Sequence, residues 1–489
     1  MSASDDPYAT AAELVAAMDS GAVSAAELTE AAIARIERHD RDINAMCVRD
    51  DDRARLAARA ADTARAHGDR RPLLGVPVTV KESFNVAGLP TTWGIPPFRD
   101  FVATEDAVAV ARLRAAGAVI LGKTNVPLGL GDVQTYNPIY GTTNNPHDLS
   151  RTPGGSSGGS AAALAAGFGA VSIGSDLGGS LRVPAHFCGV HGHKSSWGLL
   201  PVRGHTAPPG PALAYDGDLA VIGPMARSAA DLARVFTLLA GPDETTTGIA
   251  YRLSLRPARH DQLAGFRILV LDEHPLAPTC SQVGAAIDDL GSALAAAGAT
   301  VRRHSPLLPD QATQARVHMR LWLAASGAFF PPELHERAVE AASRLAADDV
   351  SLAAERTRGA VLSHRDWVAA DGVRTRLRAR WSDLFTEFDA VVCPVSATTA
   401  FPHDHSPDLS ARTVSVDGVA YDYWDQLVWA GVATAPGLPA TVAPIARSAG
   451  GLPIGVQIVG PMFEDHTPLR LAALIEREVG AGFTPPPLG

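Results

Sequence analysis

From residue 76 onward, short apolar runs alternate with stretches of helical periodicity. This alternation narrows the possible folds more than any other feature of the chain. Residues 76–80 read as a strand, 106–116 as a helix and 118–121 as the next strand. Residues 160–166 then read as a buried helix and 170–173 as a further strand. Apolar residues fill consecutive positions in these strands, so both faces of the sheet must be covered. The expected class is α/β, with helices on both sides of a largely buried sheet. Residues 265–271 and 390–394 add strands, and 283–297 a helix. Residues 7–67 read as a helical segment. Thr10-Ala-Ala-Glu13 and Ser24-Ala-Ala-Glu27 are both capping-box patterns there, each ahead of apolar residues at helical spacing. Residues 311–388 are mostly helical and read as a cap, although any one of Trp322, Trp367 and Trp381 within them reads equally well as a core anchor. Residues 467–479 form the expected closing helix, with Thr467 as N-cap and Pro468 in its first turn.

Two glycine- and serine-rich loops interrupt the alternation. One is Thr152-Pro-Gly-Gly-Ser-Ser-Gly-Gly-Ser160, the other Ser175-Asp-Leu-Gly-Gly-Ser-Leu-Arg-Val-Pro184. Lys81 precedes both, in Gly75-Val-Pro-Val-Thr-Val-Lys-Glu82. Glycines without a Cβ let backbone N–H groups converge on a small site. Serine hydroxyls can act as nucleophile or proton relay. A lysine can serve as a base once burial lowers its pKa, which an arginine cannot do. The chain holds 39 arginines and only three lysines, at 81, 123 and 194, so each lysine is a candidate for work specific to an ammonium.

Two familiar patterns are set aside on context. Gly154-Gly-Ser-Ser-Gly158 satisfies the nucleophile-elbow motif, but that elbow requires a preceding strand and residues 144–153 are loop chemistry. Gly117-Ala-Val-Ile-Leu-Gly-Lys-Thr124 satisfies a phosphate-loop motif. Its four middle residues read as an apolar strand, however, where a phosphate loop needs exposed N–H groups.

With these loops the chain resembles the amidase signature hydrolases. The likeness is strongest over residues 72–201 and returns at Ala435-Pro-Gly-Leu-Pro-Ala and Gly451-Leu-Pro-Ile-Gly-Val-Gln-Ile-Val-Gly-Pro461. The resemblance implies one domain over residues 1–489 with a central mixed sheet. Its parts are the helical segment 7–67, a catalytic core at 68–265, a helical cap at 305–390 and the rest of the core at 391–489. It also implies a triad of Ser180 as nucleophile, Ser156 as relay serine after a cis peptide to Gly155, and Lys81 as general base. The N–H groups of Leu177, Gly178, Gly179 and Ser180 would then form the oxyanion hole. Ser157 would support the network, and Asp176 and Arg182 read as a structural ion pair. Gln134 and Tyr136 depart from the commoner small-residue version of their segment and are candidates to face substrate. His193, in Gly192-His-Lys-Ser-Ser196, is expected to alter a loop near the site. The implied activity is hydrolysis of a carboxylic amide, with carbamates and esters as further carbonyl substrates. The alternative is a glutamine-hydrolysing subunit of a tRNA-dependent amidotransferase.

Composition bounds the setting. A formal charge of −10 over 489 residues argues against a nucleic-acid surface. Cys47, Cys188, Cys280 and Cys393 lie far apart without CxxC spacing and read as reduced, which favours the cytoplasm. The N-terminus shows no signal-peptide pattern, and no apolar stretch near the site is long enough to span a bilayer. His403 and His405 lack further ligand types at metal spacing. No metal or cofactor is expected. The partners expected are a small-molecule substrate and, at most, a second copy of the chain.

Overall fold

Eleven strands join in one mixed sheet. The structure is a computed structural model that describes residues 6–210, 212 and 217–488. The extreme N-terminus, Met1 to Asp5, where no signal pattern is read, lies outside the described residues. In spatial order the strands are Met46–Arg49, Val119–Thr124, Pro77–Lys81, Val171–Asp176, Val221–Ala226, His191–Lys194, Ala440–Arg447, Pro453–Val459, Ala390–Pro394, Arg267–Val270 and Thr300–Arg302. Pro77–Lys81 runs parallel to both its neighbours, whereas the central strands from Val221–Ala226 to Ala390–Pro394 pair antiparallel. Pro77–Lys81, Val171–Asp176, Val221–Ala226 and Pro453–Val459 are buried along their full length, which suits their largely apolar makeup.

Local chemistry sets the first two helix starts. Thr10 and Ser24 cap Ala11–Asp19 and Ala25–Ile43, each closing the expected capping box with Glu13 and Glu27. The second helix ends where Asn44 turns left-handed (φ 55°) and Asp40 accepts the N–H of Ala45 at 2.7 Å. Here the all-helical reading of the first segment fails. The strand Met46–Arg49 follows, pairing antiparallel with Val119–Thr124. The segment read as a cap holds the helices Gln311–Gly327, Pro332–Ser343, Leu352–Ala360 and His364–Glu387. The closing helix is also corrected. It runs His466–Leu474 with Asp465 rather than Thr467 at the N-cap, and its last turn, Ile475–Val479, is a π-helix. Among the described residues no helix is long and apolar enough to cross a membrane.

Candidate active site

The parallel strands Pro77–Lys81 and Val171–Asp176 end side by side, with Val80 opposite Ile173. In α/β sheets the carboxyl ends of parallel strands are where ligands bind. Lys81 is the last residue of the first strand and Asp176 the last of the second. The 152–160 loop enters beside them and leads into the buried helix Gly158–Ala165. Its Gly155–Ser156 peptide bond is cis. Residue 155 has to be glycine, because a Cβ there would stand 2.5 Å from the Asp132 carbonyl oxygen and 2.9 Å from the Gln134 nitrogen.

Lys81 is fully buried, with Nζ 2.7 Å from Ser156 Oγ and 2.9 Å from Ser175 Oγ. Burial lowers its pKa to about 7, with the charges of Asp176 and Glu82 opposing the shift. Burial also lowers Lys123 to about 8 and Lys194 to about 7, so the shift alone does not single out Lys81. The partners do. Lys123 donates to the Pro90 carbonyl and the Thr91 hydroxyl, and Lys194 to the carbonyls of Ser195 and Leu438, so each is tied to at least one carbonyl, which can only accept. Among the described residues Lys81 meets only hydroxyls, which can pass a proton in either direction. Ser175 is a partner that motif reasoning overlooks. It sits one position before Asp176 in the neighbouring strand, within reach of a side chain leaving the end of Pro77–Lys81.

The two loops are tied together by Ser157. Its N–H donates to the Ser180 carbonyl at 3.1 Å, and its hydroxyl lies 3.4 Å from Ser175 N and 3.3 Å from Ser175 O. Ser180 is half-buried at the end of its loop. Gly179 takes a φ of +109°, which a side chain would resist. Its N–H donates to Asp176 Oδ1 at 2.8 Å, which removes Gly179 from the expected set of oxyanion donors. The N–H groups of Leu177, Gly178 and Ser180 bond no acceptor among the described residues.

Asp176 holds this loop in shape. Its carboxylate also accepts from the N–H of Leu181 at 3.1 Å, and from Arg182 Nε at 3.0 Å and Nη2 at 2.8 Å. Arg182 in turn donates to Ala430 O, Gln457 Oε1 and Thr434 Oγ1. Burial pushes the Asp176 carboxyl up, but the Arg182 charge and hydrogen bonds outweigh it and hold it well below the usual carboxylate range. Asp176→Asn leaves a buried guanidinium without its counter-charge. It is expected to cost about 3–5 kcal/mol of stability, read by denaturant unfolding. A loss under about 1 kcal/mol would show that Gln457 and Thr434 satisfy Arg182 without it.

The two residues expected to face substrate are engaged elsewhere. Gln134 exchanges hydrogen bonds with the Asp404 backbone at 2.7 and 2.9 Å and donates to Tyr423 Oη at 3.2 Å, so its amide braces a loop. The Tyr136 hydroxyl accepts from Arg412 Nη2 at 2.7 Å, and its ring stacks on His405 at 3.9 Å. Both surround an ion pair that motif reasoning did not find, Asp132 with Arg412 at 2.8 Å. His193 is likewise not in a loop. It lies buried in the strand His191–Lys194, bonded to Thr441 Oγ1 and Asp465. The Cys188 thiol is buried and its pKa raised, as suits a core cysteine.

The amidase family profile matches residues 27–469. The provisionally named amidase AmiB2 of Mycobacterium tuberculosis is 36% identical over 97% of this chain and 97% of its own. A glutamyl-tRNA(Gln) amidotransferase subunit of Roseiflexus sp. (strain RS-1) is 33% identical over 94% of this chain and 93% of its own. The solved structure of 6-aminohexanoate cyclic dimer hydrolase superposes with a TM-score of 0.76 at 28% identity, over 96% of this chain and 97% of that one. From the match along nearly its whole length, this chain belongs to the amidase signature family.

Proposed function

We propose that the chain is a serine hydrolase that cleaves a carboxylic amide C–N bond through Ser180, Ser156 and Lys81. The observation that carries this is the buried Lys81 amine, whose neighbours are the hydroxyls of Ser156 and Ser175. Ser180 Oγ attacks the carbonyl carbon. Its proton passes to Ser156 as Ser156 gives its own to the neutral Lys81. The charge on the carbonyl oxygen is met by the N–H groups of Leu177, Gly178 and Ser180. The C–N bond breaks as the amine takes a proton from Ser156, which is restored from the Lys81 ammonium. Water then attacks the acyl–Ser180 ester and yields its proton through Ser156 to Lys81, and that proton returns through Ser156 to Ser180 Oγ as the C–O bond breaks and the acid is freed. Every group in this cycle belongs to the chain, so dialysis against a strong chelator is expected to leave the rate unchanged. A rate lost to the chelator and restored by a divalent ion would contradict the scheme.

Aryl amides, carbamates and esters present the same electrophilic carbonyl and fall within the proposed range. The second reading, a glutamine-hydrolysing amidotransferase subunit, is favoured by the name of the Roseiflexus relative. Glutamine brings an ammonium and a carboxylate that need open counter-charges. Near this site Asp132 is paired with Arg412 and Asp176 with Arg182, each pair at 2.8 Å. That pairing supports an uncharged substrate. The test is one panel of anilide, primary amide, carbamate, ester and glutamine given to the isolated chain. Arylamine release without glutamine hydrolysis is expected, and the reverse result would install the second reading. Four free cysteines accord with a cytoplasmic setting, which we propose along with a monomer or homodimer.

A further inference from the structure

Of the three cap tryptophans, two are anchors. Trp381 is fully buried and donates its indole N–H to Gln314 Oε1 at 2.8 Å. Trp367 donates to Asp218 at 3.2 Å. Trp322 differs. Like Trp367 it is half-buried, but its N–H bonds no acceptor among the described residues. It sits on the nucleophile loop itself: a Cβ at residue 178 would lie 3.0 Å from Trp322 Nε1 and 3.3 Å from Cδ1. Gly178 has no left-handed φ to require glycine, so the indole is what keeps that position bare. The ring stands 5.2 Å from Trp424 and bridges two apolar clusters, one of them built on Leu219 and Leu321 and also flanked by Leu177. A half-buried aromatic wall therefore stands directly over the loop that ends at Ser180.

We propose that Trp322 is a specificity-determining residue that receives a planar aromatic acyl group. The inference rests on the reading of Ser180 as nucleophile. In that reading the amine departs past Ser156, on the Lys81 side, while the acyl group stays bonded to the loop that Trp322 covers. An aromatic acyl group can stack on the indole or meet it edge to face, and a short aliphatic one cannot.

The test uses two substrates with one leaving group, benzoyl and acetyl p-nitroanilide. For the whole chain, Trp322→Ala is expected to lower the benzoyl-to-acetyl ratio of kcat/KM by about ten- to a hundredfold. Trp322→Phe is expected to restore most of it. A ratio unchanged within about twofold in the alanine variant overturns the proposal. Labelling of Ser180 by a fluorophosphonate, run on each variant, reports the nucleophile separately, so a failed label marks failure of the catalytic reading instead. Calorimetric binding of benzamide to Ser180→Ala protein, with and without Trp322→Ala, decides the matter without turnover. Binding weakened about tenfold or more supports the aromatic wall, and equal binding refutes it.

Discussion

Ser180→Ala is expected to lower kcat by at least about 10⁴-fold and to abolish labelling by a fluorophosphonate probe. The two serines of the proposed triad are not equivalent in this structure. Ser156 is 2% exposed, follows a cis peptide and holds Lys81 at 2.7 Å. A hydroxyl so enclosed suits a relay. Ser180 is half-buried, and its own N–H stands with those of Leu177 and Gly178 without a protein acceptor among the described residues. A carbonyl attacked by Ser180 would place its oxygen among those donors, and the same donors would hold the tetrahedral phosphorus of the probe. Ser156→Ala leaves the nucleophile in place and removes only its path for protons. Its activity should also collapse, while slow labelling of Ser180 persists. Mass spectrometry of the labelled peptides separates the serines. A label found on Ser156, or retained in Ser180→Ala, would return the nucleophile to the 152–160 loop.

The parts of the site legible in the sequence are those fixed by short range or by residue type. The capping boxes at Thr10 and Ser24 form as expected, since each needs only four consecutive residues. The serine loops and Lys81 were legible because their glycines and one rare lysine have few other uses. What stayed hidden depends on contacts between distant segments. Asp132 and Arg412 lie 280 residues apart, and nothing in either segment names the other. Gln134 looked free because the Asp404 backbone that occupies its amide arrives from equally far away. Asp465 could not be read as bonded to His193 and Ser196 until the central strands had assembled. The strands His191–Lys194 and Val221–Ala226 were missed for a related reason. Glycine, proline and histidine lower strand propensity, but burial between neighbouring strands outweighs it. The Gly179 N–H is a local case that still escaped: counting glycines supplies donors, and only coordinates show that Asp176 takes one of them.

Lys81→Arg is expected to be nearly as inactive as Lys81→Ala, each losing about 10³-fold or more in kcat/KM. Arginine keeps its proton at every accessible pH, so it preserves charge while removing the base. In the unaltered chain, activity should climb about tenfold per pH unit below neutrality and level off above it, because burial sets the Lys81 pKa at about 7. The same shift has a consequence for folding. The folded pKa lies below the unfolded value of about 10.5, so between those limits the unfolded chain binds more protons. This group's contribution to stability therefore rises with pH from about 7 to about 10.5 and is least favourable below 7. Lys81→Met should remove the Lys81 share of that rise in stability, leaving those of Lys123 and Lys194, while eliminating the rise in activity. The two readouts share one cause, an amine kept neutral by burial beside two hydroxyls. Substantial activity in Lys81→Arg would separate them, since position 81 would then be supplying charge, with the proton leaving Ser156 by a route that does not pass through Lys81.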